Sequence, residues 1–265
     1  MAVHVTVGRA TLNAFAYLGG LARLGGRAAW FTFLGPFRGR PLRVERAFHQ
    51  AMLVGVRALP IISLITFFVG VILALQGAYE LRRFGALHYV ASAVAISMTR
   101  ELGPLMTAIV VIGRSGSAFA AEIGTMKVTE EIDALETMAL NPVQFLVTPK
   151  FLAMVVMMPC LTVWADFMGI LGGSLFGISS AGFTFGGYLN ATVEALLMRD
   201  IVSGLIKSVM FGMVITAVGC HEGFSTGAGA EEVGRSTTAA VVMSIFLVVI
   251  VDLVFTAIFY FMSGK

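Results

Sequence analysis

Residues Leu59 to Tyr79, LPIISLITFFVGVILALQGAY, contain no charged side chain, and as one helix they would extend about 30 Å. A stretch that long and that apolar has few folding options in water, because a helix hydrophobic all round must be buried on every side. In a bilayer it is an ordinary spanning helix. Four further runs follow the same logic, about 89–113, 151–181, 201–221 and 238–262, interrupted only by Arg100 and Glu101, Asp166, Lys207 and Asp252 respectively. Composition agrees: 58% of the 265 residues are hydrophobic and 12% charged, far from the roughly 25% charged of an average soluble domain. The expected fold is therefore an all-α membrane protein with five transmembrane helices in one membrane domain, 49–265, preceded by a basic arm, 1–48.

Sidedness follows from Lys and Arg. With five spans, the arm, the 114–150 connection and the 222–236 connection share one side and carry twelve Lys/Arg, against four on the other. The positive-inside rule makes the first side cytoplasmic, with the N-terminus in and the C-terminus out. The arm holds Arg9, Arg23, Arg27, Arg38, Arg40, Arg43 and Arg46 against Glu45, with Leu12, Phe15, Leu18, Leu21, Leu24 and Trp30 at roughly helical spacing. This pattern predicts an interfacial amphipathic helix on anionic lipid, weakened by Gly19, Gly20, Gly25 and Gly26. No clean apolar core marks a signal peptide.

One segment resists the apolar trend. In TMKVTEEIDALETMALNP, 125–142, the acids Glu130, Glu131, Asp133 and Glu136 fall within seven positions. At 100° per residue, Val128, Ile132, Leu135 and Ala139 form one stripe, while Glu130, Asp133, Glu136 and Thr137 fill the opposite face. The expectation is one amphipathic helix over about 122–139, started by Thr125 or Thr129 and stopped by Asn141-Pro142. Three turns are marginal alone, so the stripe must dock, either on the chain's own helix ends or on another protein. Anionic lipid would repel the acidic face.

Enzyme chemistry is poorly represented. No Gly-rich loop ends in Gly-Lys-Ser/Thr, and no Ser-x-x-Lys, Gly-x-Ser-x-Gly or His-Glu-x-x-His pattern occurs. Cys160 and Cys220 lack CxxC spacing, the four histidines are scattered, and neither a metal site nor nucleic-acid binding is expected. Ionisable groups inside spans are costly and are functional candidates by default. Arg100 and Glu101 are either functional or an internal ion pair that positions helices. Asp166 and Asp252 are proton-relay candidates, although a lone acid more often pairs with a neighbour such as Lys207. Gly169, Gly173 and Gly177 form a stripe that permits close helix approach, between copies or within one.

The stretch SMTRELGPLMTAIVVIGRSGSAFAAEIGTMKVTEEIDALETMALNPVQFLVTPKFLA, 97–153, resembles the most characteristic region of the MlaE (YrbE) permeases, as does GFSTGAGAEEVGRSTTAAVV, 223–242. The resemblance extends from about residue 45 onward. It implies a homodimeric permease of an ABC-type lipid transport system, with a coupling helix between spans two and three seated in a groove of a cytoplasmic ATPase. Its positions fall on Glu122, Met126, Val128, Glu130, Ile132, Asp133 and Leu135. It also implies an outward-opening phospholipid cavity at Leu73, Glu80, Leu81, Phe84, Arg100 and Glu101, with Glu80 replacing an expected apolar residue. The implied partners are the ABC ATPase, which holds ATP and Mg while this chain holds no cofactor, a periplasmic MCE-domain oligomer, and a second copy of the chain. The resemblance leaves room for a small STAS-like protein on the ATPase. The implied location is the bacterial inner membrane. The alternative from the residues themselves is a self-sufficient ion- or proton-coupled carrier using Arg100, Glu101, Asp166 and Asp252.

Overall fold

The computed structural model describes residues 2–34, 44–180 and 182–263, and every regular element among them is helical. In chain order these are α1 (Ala2–Phe33), α2 (Val44–Gly55), α3 (Leu59–Arg83), α4 (Val90–Ser97), α5 (Gly103–Val111), α6 (Ser117–Val128), α7 (Glu131–Thr137), α8 (Thr148–Ser180), α9 (Phe185–Ala195), α10 (Met198–Ser225) and α11 (Ala230–Ser263). Wide π-type turns at Met98–Leu102 and Ile112–Gly116 join α4, α5 and α6 into one run, and a third, Val143–Val147, leads into α8. Among the described residues, five segments are long and apolar enough to cross a membrane: Leu59–Arg83, Leu87–Val128, Val143–Ser179, Met198–Ser225 and Ala230–Met262. The number agrees with the sequence; each segment extends beyond the expected bounds at one end or both, the second by fifteen residues past 113, while the third stops two residues short of 181. Charge placement marks where hydrocarbon ends, whereas a helix continues until its backbone is capped.

The residues form two compact units. The first comprises Met1–Gln50, Ser115–Ala153 and Met213–Phe246. Here α1 is continuous through all four glycines. Its face bearing Tyr17, Gly20, Leu21, Gly25 and Ala28 packs on the second half of α10: a Cβ at Gly20 would lie 2.8 Å from His221 Cε1, and one at Gly25 3.8 Å from Ala217. Packing thus outweighs the roughly 1 kcal/mol per glycine of helix propensity. Tyr17 donates a 2.6 Å hydrogen bond to Glu222, and its ring meets His221 edge-on. Arg46 lies with its guanidinium 3.9 Å from the Phe145 ring centroid. Arg38, Arg40 and Arg43 of the basic arm, and Lys265, lie outside the described residues.

The second unit comprises Ala51–Arg114, Met154–Gly212 and Leu247–Lys265. Its helices meet backbone to backbone: Gly70 faces the Gly169 carbonyl, Gly172 the Phe67 carbonyl and Gly204 the Thr99 carbonyl, contacts no side chain would permit. The glycine stripe on α8 serves this internal packing, since Gly169 faces Met98, Gly173 faces Val94 and Tyr188, and Gly177 faces Tyr188. Helix α9 has no counterpart in the sequence reading. Thr184 caps it, accepting from Gly187 N at 3.1 Å, and its own Tyr188 is fully buried.

Candidate functional site

In the first unit, the acidic segment is two helices rather than one of three turns. Glu130 takes a left-handed conformation (φ 60°) that breaks the chain between α6 and α7, so Glu122, Met126 and Val128 sit on one helix and Ile132, Asp133 and Leu135 on another. Neither threonine caps α7: Thr129 bonds back to the Thr125 carbonyl at 3.0 Å and ends α6. The end of α7 is a Schellman turn in which Ala139 (φ 57°) N–H bonds Glu136 O and Leu140 N–H bonds Leu135 O. Asn141 begins the next turn instead of merely stopping this one, its Oδ1 accepting from Val143 N at 3.0 Å.

The break reorients the apolar stripe. Ile132 and Leu135 are buried within the chain at 7% and 8% exposure, packed against its own helices. What faces outward is Glu130, Glu131, Asp133, Glu136 and Met138. Met126 and Val128 are half-buried. Glu122 is engaged by Lys150, whose buried Nζ donates to it at 2.7 Å, while Lys127 Nζ donates to Phe224 O at 2.6 Å. The short acidic helix is thus a knob on a fixed base.

In the second unit, Lys207 is 1% exposed and pairs with Glu101 as well as with Asp252, whose carboxylate lies 2.9 Å away. The Asp252 contact is one of charge rather than an aligned hydrogen bond. Thr256 ties the group together, accepting from Lys207 Nζ at 2.8 Å and lying 3.2 Å from Glu101. Arg100 pairs instead with Asp200 in the first turn of α10, Nε to Oδ1 3.7 Å, where Asp200 also caps the helix start through Leu197 N. Arg100 and Glu101 therefore do not pair with one another. Both stand on the wide Met98–Leu102 turn, which a regular 3.6-residue helical count does not reveal.

The six lipid-cavity candidates have different immediate surroundings. Leu73 and Leu81 pack at the edge of a core of Ala74, Ala78, Val90, Val94 and Met98. Glu80 is exposed, 3.9 Å from Arg83, and Phe84 is 80% exposed beside the left-handed Gly85 that ends α3. Arg100 and Glu101 are held by Asp200 and Lys207. For the carrier alternative, three of four groups are thus engaged in ion pairs. Asp166 differs: its Oδ1 is buried against Gly103 and has no hydrogen-bond partner. Sequence reasoning missed Asp200 and Thr256; a cation within a span, Arg100 or Lys207, was the available signal that acids and hydroxyls must meet it.

Five apolar spans, with charges locked to one another inside them and no cluster of three metal-ligating side chains among the described residues, define a multi-pass helical membrane protein. The chain belongs to the MlaE permease family: the family model for permease MlaE matches residues 47–258. It is accordingly a permease and not an enzyme. A probable ABC transporter permease protein of Rickettsia typhi is 41% identical over 220 residues, covering 83% of this chain and 85% of that one. The intermembrane phospholipid transport system permease protein MlaE of Haemophilus influenzae is 36% identical over 240 residues, covering 89% and 91%. The chloroplastic protein TRIGALACTOSYLDIACYLGLYCEROL 1 of Arabidopsis thaliana is 37% identical over 216 residues, 82% of this chain and 62% of that protein.

Proposed function

We propose that the chain is the membrane-spanning subunit of an ABC-type transporter that moves phospholipid, driven by ATP hydrolysed on a separate subunit that binds the ATP and Mg. Family membership and the names of the relatives support this reading, as does the lack of any phosphate-binding loop in the sequence. The observation that carries it is the acidic knob. A helix too short to be stable alone is anchored through Ile132 and Leu135 and presents Glu130, Glu131 and Asp133 outward, as a rigid charge-bearing contact for a basic groove requires. The ATPase meets this acidic face together with Met126 and Val128. Ile132 and Leu135 act as its anchor, and Glu122 is steadied by Lys150.

Phospholipid is held by Leu73, Leu81 and the exposed Phe84, with Glu80 near the rim; a second copy of the chain completes the cavity, and Arg100 and Glu101 brace its wall. The knob and basic arm lie on the cytoplasmic side of a bacterial inner membrane, and the C-terminus is periplasmic. A periplasmic MCE-domain oligomer exchanges lipid with the cavity, and a small STAS-like protein sits on the ATPase. The test is charge reversal: Asp133→Lys in the intact complex lowers recovery of the ATPase with the permease without unfolding it. Unchanged recovery for Asp133→Lys combined with Glu131→Lys would overturn the docking role.

A further inference from the structure

The first unit contains a cavity of about 400 Å³ between α1, the 132–143 segment and the end of α10, within the size range of small-molecule sites. Arg23 and Arg27 line it from one face of α1, Glu136 from α7, and His221 from α10. Among the described residues, neither arginine nor Glu136 is in an ion pair, although both signs of charge share this cavity. Opposite charges that line one space without closing on each other leave room for a ligand carrying both. The remaining wall is apolar, including Leu24, Val143 and Phe224.

From these features we infer a binding site for the zwitterionic phosphoethanolamine headgroup of a membrane lipid, its phosphate on Arg23 and Arg27 and its ammonium on Glu136. Two guanidiniums suit a phosphate through paired N–H donors, whereas a purely anionic headgroup would leave Glu136 opposed. A lipid is favoured over a soluble phosphate for two reasons. The cavity wall is partly apolar, and Leu12 and Phe15, 70% and 69% exposed, project from α1 opposite its packed face, suiting that side to acyl chains. The site lies in the first unit and is independent of the transport cavity assigned to the second. Its occupancy therefore does not depend on whether lipid is moved.

The test places a benzoylphenylalanine photo-crosslinker at Val143 in the full chain, reconstituted with its complex in vesicles of equal phosphatidylethanolamine and phosphatidylglycerol. Crosslinked lipid is identified by mass spectrometry. Phosphatidylethanolamine should predominate; Glu136→Gln should abolish that preference while retaining phosphatidylglycerol; Arg23→Ala with Arg27→Ala should lower total crosslinking at least about tenfold. Arg23→Lys with Arg27→Lys keeps the charge and should retain more than the alanine pair, which separates headgroup contact from collapse of α1. An unchanged lipid ratio in Glu136→Gln, or unchanged yield in the alanine pair, overturns the site. Full displacement by soluble glycerophosphoethanolamine or inorganic phosphate at millimolar concentration would overturn the lipid assignment.

Discussion

Replacing Lys207 by methionine removes the cation that Glu101 and Asp252 share, and leaves a side chain of similar length. Breaking a buried pair from one side costs about 3–5 kcal/mol, because the remaining charge has lost its partner. Glu101 is 36% exposed and Asp252 18%, so water and protonation relieve part of this. We expect a loss of about 3 kcal/mol, a fall in Tm of roughly 6–12 °C by the usual conversion for chains of this size. The informative comparison is Lys207→Met/Glu101→Gln/Asp252→Asn, which deletes all three charges. If the cluster braces the helices without supplying net stability, this triple variant returns to within about 1 kcal/mol of the parent. Unfolding in nanodiscs, followed by tryptophan fluorescence with lipid composition held constant, measures both. A single variant costing less than about 1 kcal/mol, or a triple variant as unstable as the single, would refute the electrostatic reasoning.

Glycines divide by what they face. Gly70→Val drives a side chain into the Gly169 backbone and should prevent stable assembly of the second unit, whereas Gly26→Ala meets nothing within 4 Å and should raise stability by up to about 1 kcal/mol, both read as Tm. Ala139→Gly relieves a left-handed alanine at the end of α7 and should stabilise by about 1 kcal/mol in denaturant titrations. Burial first, then the Glu222 carboxylate, holds the Tyr17 phenol above its ordinary value near 10. The folded state thus keeps a proton that the unfolded chain loses: the contribution is complete below pH 10 and declines above it. Tyr17→Phe should be less stable at pH 7 yet lose less between pH 10 and 11; equal slopes would remove this link.

Length and charge made the five spans legible, because a run of some twenty apolar residues has one economical home. Their ends were less so. The Arg100–Glu101 region stands on a π-type turn, whose extra residue leaves no signature in apolar spacing, so the true partners Asp200 and Lys207 were not foreseen as a set. In the acidic segment the stripe of Ile132 and Leu135 was correctly periodic, but periodicity does not say what a stripe docks on; the left-handed Glu130 turns it onto the chain itself. Local propensity also misjudged α1, where Gly20 and Gly25 are sites of close approach to α10. Helix α9 was missed because it is short, although Thr184 three residues before Gly187 carried a capping signal.

Transfer of a fluorescent phospholipid by proteoliposomes containing this chain and its co-expressed ATPase tests the central claim most directly. The account predicts transfer that requires hydrolysable ATP and is lost in Asp133→Lys while the ATPase subunit still hydrolyses nucleotide. Equal transfer without nucleotide, by the chain alone, would contradict it.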